Sequence, residues 1–311
     1  MKAVQNVPGT GVRVVDIAKP ESNGALVRIT SVSICASDLL YIGWGSSQVA
    51  GHEIAGVLED GTPVAIEAMF GCGTCEWCEQ GNYNLCHTGG TDVLGMTVPG
   101  GMSEWFRAPR RVIRELPAGL PVTDASLVEP GAVALHCCRC AGVGPDTRVA
   151  IVGGGAIGLL AAVAAQHLGA VEVAVEARHP HQRDRAEQFG AIEPTGDYDI
   201  VVEAAGSASA VTRAFELVRP RGMIATVGVY SPDMPWPYTA GLLKEVTTMA
   251  TIGYCGHGEH REFDEVASLL AARPQAAEAL ITHRFGIDEA PRAFEVATDR
   301  SAGTFRVVVQ P

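Results

Sequence analysis

The chain has no run of apolar residues long enough to span a bilayer. Its longest candidate, 149–168, is broken by Gly153, Gly154, Gly155 and Gly158 and by the polar pair Gln166-His167. Basic residues are scarce: 23 Lys+Arg stand against 35 Asp+Glu, a formal net charge of −12. That excess repels phosphate backbones and anionic bilayers, so neither a nucleic acid nor a membrane is expected as a partner. Residues 1–6 run into strand-like sequence without an apolar signal region, and there is no internal repeat or low-complexity tract. Nine cysteines, four of them at metal spacing, suit a reducing compartment, and the expected location is cytoplasmic. What the chain has in plenty is hydrophobic residues (47%) and glycine (36 of 311), enough for two cores and many tight turns.

Two textures follow one another. Short β segments at 25–31, 54–58, 63–68 and 103–108, punctuated by Gly, Pro and Asn, predict a β-rich domain with long loops. A small-residue apolar stretch at 132–141 predicts a buried helix. From 148 onward, strands (149–152, 171–175, 199–203, 223–227) alternate with helices (156–168, 181–189, 208–218), the pattern of a parallel sheet with crossover helices. A helix at 290–298 and a strand at 304–310 are expected to return to the first domain. The expected boundaries are 1–130 with 264–311 for one domain and 131–263 for the other.

Cys72, Cys75, Cys78 and Cys86 close within a short run at a spacing that lets the backbone turn between ligands, which predicts an all-thiolate tetrahedral cage. Four ligands leave no open position, so a zinc held there is structural. Any zinc that does chemistry needs another site. Cys35-Ala-Ser37-Asp38 and Gly51-His52-Glu53, with Glu129 far downstream, supply a thiolate, an imidazole and two candidate carboxylates, a set that holds Zn²⁺ with one position open. Either Glu53 or Glu129 can complete it. Asp38 is placed to fix the imidazole. Cys137, Cys138 and Cys140 crowd one helix and read as buried structural cysteines.

Gly153-Gly-Gly155-Ala156-Ile157-Gly158 sits between an apolar strand and an apolar helix, the dinucleotide-binding arrangement in which a pyrophosphate meets a helix N-terminus. The position 24 residues after Gly153, where an NAD site wants a carboxylate, is Ala177; Arg178 follows and Arg183 is close behind. This favours NADP(H). Glu176 is the counter-indication, since one residue of slippage puts it at the ribose, but period-two alternation turns it away if Ala177 faces inward.

On these motifs, together with Glu129-Pro130, Tyr254-Cys255 and residues 281–285, the chain resembles zinc-dependent medium-chain dehydrogenases/reductases over nearly its whole length, in particular the sorbitol and threonine dehydrogenase branch. The resemblance implies an α/β protein with a GroES-like β-rich catalytic domain and a Rossmann doubly wound parallel-sheet domain. It implies an active site in the intervening cleft, and two zinc ions per chain, one catalytic and one structural. It also implies hydride transfer between a nicotinamide and an alcohol or carbonyl, with Ser37 passing the proton. Family relays continue to a histidine two or three residues beyond Asp38; here Leu40 and Tyr41 stand there. A homodimer or homotetramer is implied through an edge strand near 246–252.

Tyr41 and Trp44 are expected near the substrate, as is Tyr254, whose neighbour is Gly253 where polyol enzymes of this type carry arginine. The reading is therefore an NADP(H)-linked zinc alcohol dehydrogenase or carbonyl reductase. An NAD-dependent polyol or amino-alcohol dehydrogenase is the alternative within enzymes, and a cofactor-binding protein without chemistry is the alternative outside them.

Overall fold

The computed structural model describes residues 1–21, 23–87, 92–231, 233–257, 260–299 and 303–311. They form two compact units, one of Met1–Pro130 with Cys255–Pro311, the other of Gly131–Tyr254. The return to the first unit thus begins at Cys255 rather than at 264. The backbone N–H of Gly256 donates to Gly81 O at 2.9 Å and that of Cys255 to Glu262 Oε2 at 2.8 Å, so the chain is tied into the first unit before the helix Glu262–Ala272 starts.

The first unit is built on a seven-stranded sheet. Strand Ala25–Ser33 pairs antiparallel with Glu53–Leu58 on one side and with Arg306–Gln310 on the other, and Trp105–Ala108 pairs with its first residues. Pro63–Ile66 and Ile113–Glu115 extend one edge, and Ile281–Gly286 joins Arg306–Gln310 in the sheet's one parallel pair. The core beneath includes Val27, Ile29, Val32, Ile54, Val64, Ile66, Phe106, Phe294, Val307 and Val309, residues drawn from strands remote in sequence. Antiparallel pairing carries the functional consequence. Ser33 lies opposite Glu53, so the chain leaving one strand at Ile34-Cys35 runs beside the chain entering the next at His52.

The second unit is a five-stranded, all-parallel sheet in the order Thr247–Ala250, Val218–Thr226, Tyr198–Glu203, Arg148–Val152, Glu172–Glu176. A parallel sheet covered on both faces needs strands apolar on both sides, and 149–152 and 200–203 are buried throughout. Helices Ala156–His167, Pro180–Gln188, Ala208–Leu217 and Tyr238–Lys244 are the crossovers. Beyond Glu172–Glu176 the sheet continues only as the isolated bridge Ala174–Ile192. The strand order reverses between Arg148–Val152 and Tyr198–Glu203, the switch point at whose carboxyl ends ligands bind in open α/β sheets. Among the described residues, no helix is long and apolar enough to cross a membrane.

Candidate functional site

In the cysteine lobe, Sγ–Sγ separations are 3.5 Å for Cys75–Cys78, 3.8 Å for Cys75–Cys86 and 4.0 Å for Cys72–Cys78. A tetrahedron with metal–sulfur bonds of about 2.3 Å has edges of about 3.8 Å, close to these three separations, and all four sulfurs lie within 4.8 Å of one another, an arrangement that suits a zinc ion. Backbone N–H groups support the cage: Cys72 donates to Cys86 Sγ at 3.2 Å and Thr74 to Cys72 Sγ at 3.4 Å. The lobe also depends on the absence of a side chain at Gly71, where a Cβ would come within 2.3 Å of Cys78 Sγ. Trp77 Nε1 donates to His87 Nε2 at 2.9 Å, which occupies that histidine outside the cage.

The second cluster forms where the two antiparallel strands end. Cys35 caps the helix Ala36–Gly43, and its backbone N–H donates to Asp38 Oδ2 at 2.8 Å. The other oxygen of Asp38 lies 3.2 Å from His52 Nδ1, turning Nε2 toward Ser37 Oγ at 3.3 Å. Donor atoms of Cys35, His52 and Glu53 all lie within 4.8 Å of one another. His52 Nδ1, Asp38 Oδ1 and Glu53 Oε1 are buried and have no aligned hydrogen-bond partner. An imidazole and a carboxylate left in this condition beside the half-buried Cys35 thiol are a donor set that a divalent cation completes. Burial opposes charge on the His52 ring, but Asp38 and Cys35 outweigh it and raise the ring well above the usual histidine value.

The two carboxylates differ. Glu53 is fully buried; Ser33 Oγ donates to its Oε2, and Arg306 Nη2 lies 3.1 Å from its Oε1. Glu129, in the first turn of the helix Val128–Cys140, stands in the same field. Burial, reinforced by Glu53 and Asp38 against the pull of His52 and Arg306, pushes its carboxyl up to about 7. Hydrogen bonds from Ser31 Oγ to Val122 O and from Ser33 Oγ to Ser126 O tether the approach to that helix and so bring Glu129 near.

Arg306 and Ser33 escaped the sequence reading. Arg306 is the one charge in an otherwise apolar strand whose Val308 pairs with Ser33, and the same register sets it level with Cys35. A charge in such a strand was the available signal.

Of the aromatic candidates, Tyr41 sits one helical turn after Ser37, with its ring centroid 6.2 Å from that of His52. Trp44 contacts Tyr41 at 6.0 Å between centroids and is otherwise exposed. Tyr254, expected near the substrate, is fully buried and presents no surface to a ligand.

In the second unit the glycine loop has the form its spacing predicts. Gly153 has φ +123°, open to glycine, and a Cβ on Gly158 would lie 1.7 Å from Gly153 O. A Cβ on Gly155 would meet nothing within 4 Å, and Gly155 caps the helix Ala156–His167, whose first N–H groups have no intrahelical acceptor. That cradle fits a pyrophosphate. Ala177 is buried against Gly154, the inward orientation that alternation assigns to it. Glu176 pairs instead with Arg213, at 2.6 Å. Arg178 is exposed, and its Nη2 donates to Ser209 Oγ at 3.4 Å. Arg183 Nη1 donates to the carbonyls of Ala177 (3.1 Å) and Arg178 (3.2 Å), closing the strand end.

Residues 21–118 match the alcohol dehydrogenase GroES-like domain, and residues 156–272 the zinc-binding dehydrogenase family. L-galactonate-5-dehydrogenase of Escherichia coli K12 is 30% identical over 305 residues, covering 87% of this chain and 86% of that one. The crystal structure of galactitol-1-phosphate dehydrogenase from Escherichia coli superposes with a TM-score of 0.89 at 28% identity, covering 100% of both chains. A zinc-binding dehydrogenase from Sinorhizobium meliloti 1021, bound to NADP, superposes with a TM-score of 0.85 at 26% identity over 100% of this chain and 99% of that one. With both domain families matched in order and a full-length relative at that identity, the chain belongs to the zinc-dependent medium-chain dehydrogenase/reductase superfamily and is an NAD(P)-linked oxidoreductase acting on CH–OH groups.

Proposed function

We propose that the protein interconverts an alcohol and its carbonyl with NADP(H), using one zinc held by Cys35, His52 and a carboxylate and a second, structural zinc held by Cys72, Cys75, Cys78 and Cys86. The observation that carries this reading is the Cys35–His52–Glu53 donor cluster, a half-buried thiol beside a buried imidazole and carboxylate, with Asp38 behind the imidazole. When bound, zinc supplies the Lewis acidity that makes an alcohol acidic, and the nicotinamide supplies the hydride acceptor.

The chain's own residues do the rest. Asp38 holds His52 Nδ1 so that Nε2 is presented as a donor atom. Ser37 Oγ, beside that nitrogen, takes the proton released from the alcohol and hands it to water, because Leu40 occupies a position where the resembled relay carries histidine. Tyr41 and the exposed Trp44 form an aromatic wall for the substrate. The ion pair of Glu53 with Arg306 leaves Glu129, buried and raised to about 7, as the carboxylate free to exchange with Glu53.

For the cofactor, Ala177 with Arg178 and Arg183 suits a ribose 2′-phosphate, and the NADP-bound Sinorhizobium structure supports the same choice. A polyol or sugar-acid substrate is the second reading, favoured by the L-galactonate and galactitol-1-phosphate relatives. A homodimer or homotetramer is proposed through the edge strand Thr247–Ala250, whose residues are all exposed.

Metal analysis together with initial rates over aliphatic, aromatic and polyol substrates, each with NAD⁺ and NADP⁺, tests the reading. Two zinc ions per chain and an NADP⁺ preference are expected, with Cys35→Ser losing turnover while still binding cofactor. Turnover retained in Cys35→Ser and in His52→Ala would overturn it.

A further inference from the structure

Glu176 and Arg178 flank Ala177 at the carboxyl end of the strand Glu172–Glu176, and one helix meets both of them. Arg213 Nε lies 2.6 Å from Glu176 Oε2, while Arg213 Nη1 reaches Glu216 at 2.9 Å. Arg178 Nη2 donates to Ser209 Oγ. Ser209 and Arg213 are one turn apart on the helix Ala208–Leu217, while Glu176 ends the strand and Arg178 follows two residues later, so two adjacent side chains of the helix meet the two residues that flank Ala177. Ala177, between them, points the other way and packs against Gly154. The carboxylate that could serve an NAD-type ribose is therefore engaged by a cation from another element, while the guanidinium that could serve a 2′-phosphate is steadied by a hydroxyl.

We infer that Arg213 is a positioning residue that sets cofactor preference by holding the Glu176 carboxylate away from the adenosine ribose and neutralising it. The inference rests on the NADP(H) reading above and names the residue that enforces it. An unpaired carboxylate at the strand end acts twice against that cofactor: it accepts hydrogen bonds from a free 2′-hydroxyl, which favours NAD(H), and it repels a 2′-phosphate. Specificity here is a difference of two affinities, and Arg213 works by suppressing the competitor's contact rather than by touching the phosphate.

The test is a double-mutant cycle read by calorimetric binding of NADP⁺ and NAD⁺ to the wild type, Arg213→Gln, Glu176→Gln and the double variant. Arg213→Gln is expected to lower the ratio of NADP⁺ to NAD⁺ affinity about tenfold, the scale of one unpaired charge near a protein surface. Glu176→Gln alone and the double variant are expected to stay within about twofold of the wild type, because with Glu176 neutral there is nothing for Arg213 to restrain. An unchanged ratio in Arg213→Gln overturns the inference. So does an equal fall in the Glu176→Gln background, which would mean that Arg213 contacts the phosphate itself. Stronger wild-type binding of NAD⁺ than of NADP⁺ would sink the NADP(H) reading separately; the cycle would still decide this inference, since a Glu176-dependent gain in NAD⁺ affinity supports it and zero coupling refutes it.

Discussion

Replacing Arg306 by methionine should unfold the end of the sheet that carries Cys35, His52 and Glu53 more readily and weaken the proposed site with it. Arg306 and Glu53 form an ion pair at 3.1 Å with side-chain exposures of 6% and 0%, and Arg306 Nη1 also donates to Ile34 O at 3.3 Å, one residue before Cys35. Methionine fills a similar volume but leaves the Glu53 carboxylate buried without its guanidinium, with the Ser33 hydroxyl still donating to it. Removing one partner of a buried pair costs about 3–5 kcal/mol, because the remaining charge keeps its desolvation penalty without its compensation. Set against a typical total of about 5–15 kcal/mol, that is a large share of the protein's stability. Urea unfolding followed by tryptophan fluorescence reads the loss, and zinc content reads its effect on the site. The companion variant Glu53→Gln/Arg306→Met should recover part of the loss, since a neutral pair no longer strands a charge. A change below about 1 kcal/mol in Arg306→Met, the size seen for exposed pairs, would show that Glu53 does not depend on this arginine.

Two further perturbations probe other parts of the molecule. Burial raises Glu67 from 4.5 to about 7 despite Arg261, Arg114 and Tyr83, so its proton is bound more tightly in the folded state. Its contribution is then full below the unfolded value and is lost as pH rises through about 7, a span worth about 3 kcal/mol, and Glu67→Gln should flatten the fall in unfolding free energy between pH 4.5 and 8 by about that much. Parallel pH profiles for the two proteins would refute the assignment. Gly158→Ala places a methyl group 1.7 Å from Gly153 O, where both sides are backbone and neither can move aside. Overpacking of about 1–3 kcal/mol should weaken binding of the nicotinamide dinucleotide about 5- to 150-fold by calorimetry, and a wild-type dissociation constant would refute the cradle.

Much of this protein is written in local spacing. The interval between Cys72, Cys75 and Cys78 is a property of a few peptide units, so the clustering of these thiols could be read before any fold was known, and the sulfur separations agree with it. The glycine loop is equally local: each glycine answers a steric demand within one turn, as the contact between position 158 and Gly153 O shows. Alternation along a strand also sufficed to turn Ala177 inward and Glu176 outward. What lay beyond the sequence is partnership between distant segments. Arg306 reaches Glu53 and Ile34 only because Val308 pairs with Ser33 while Ser33 also faces Glu53, a register set by burial of Val32, Ile54, Val307 and Val309. Arg213 finds Glu176 only because helix Ala208–Leu217 folds back over the strand ends, and Tyr254 is buried although it was expected near the substrate. Short-range chemistry, the ligands and the loop, is dictated by the order of residues along the chain. Which charges neutralise one another is decided by how the sheets pair and close, because a charge acts through space on whatever the packing brings beside it.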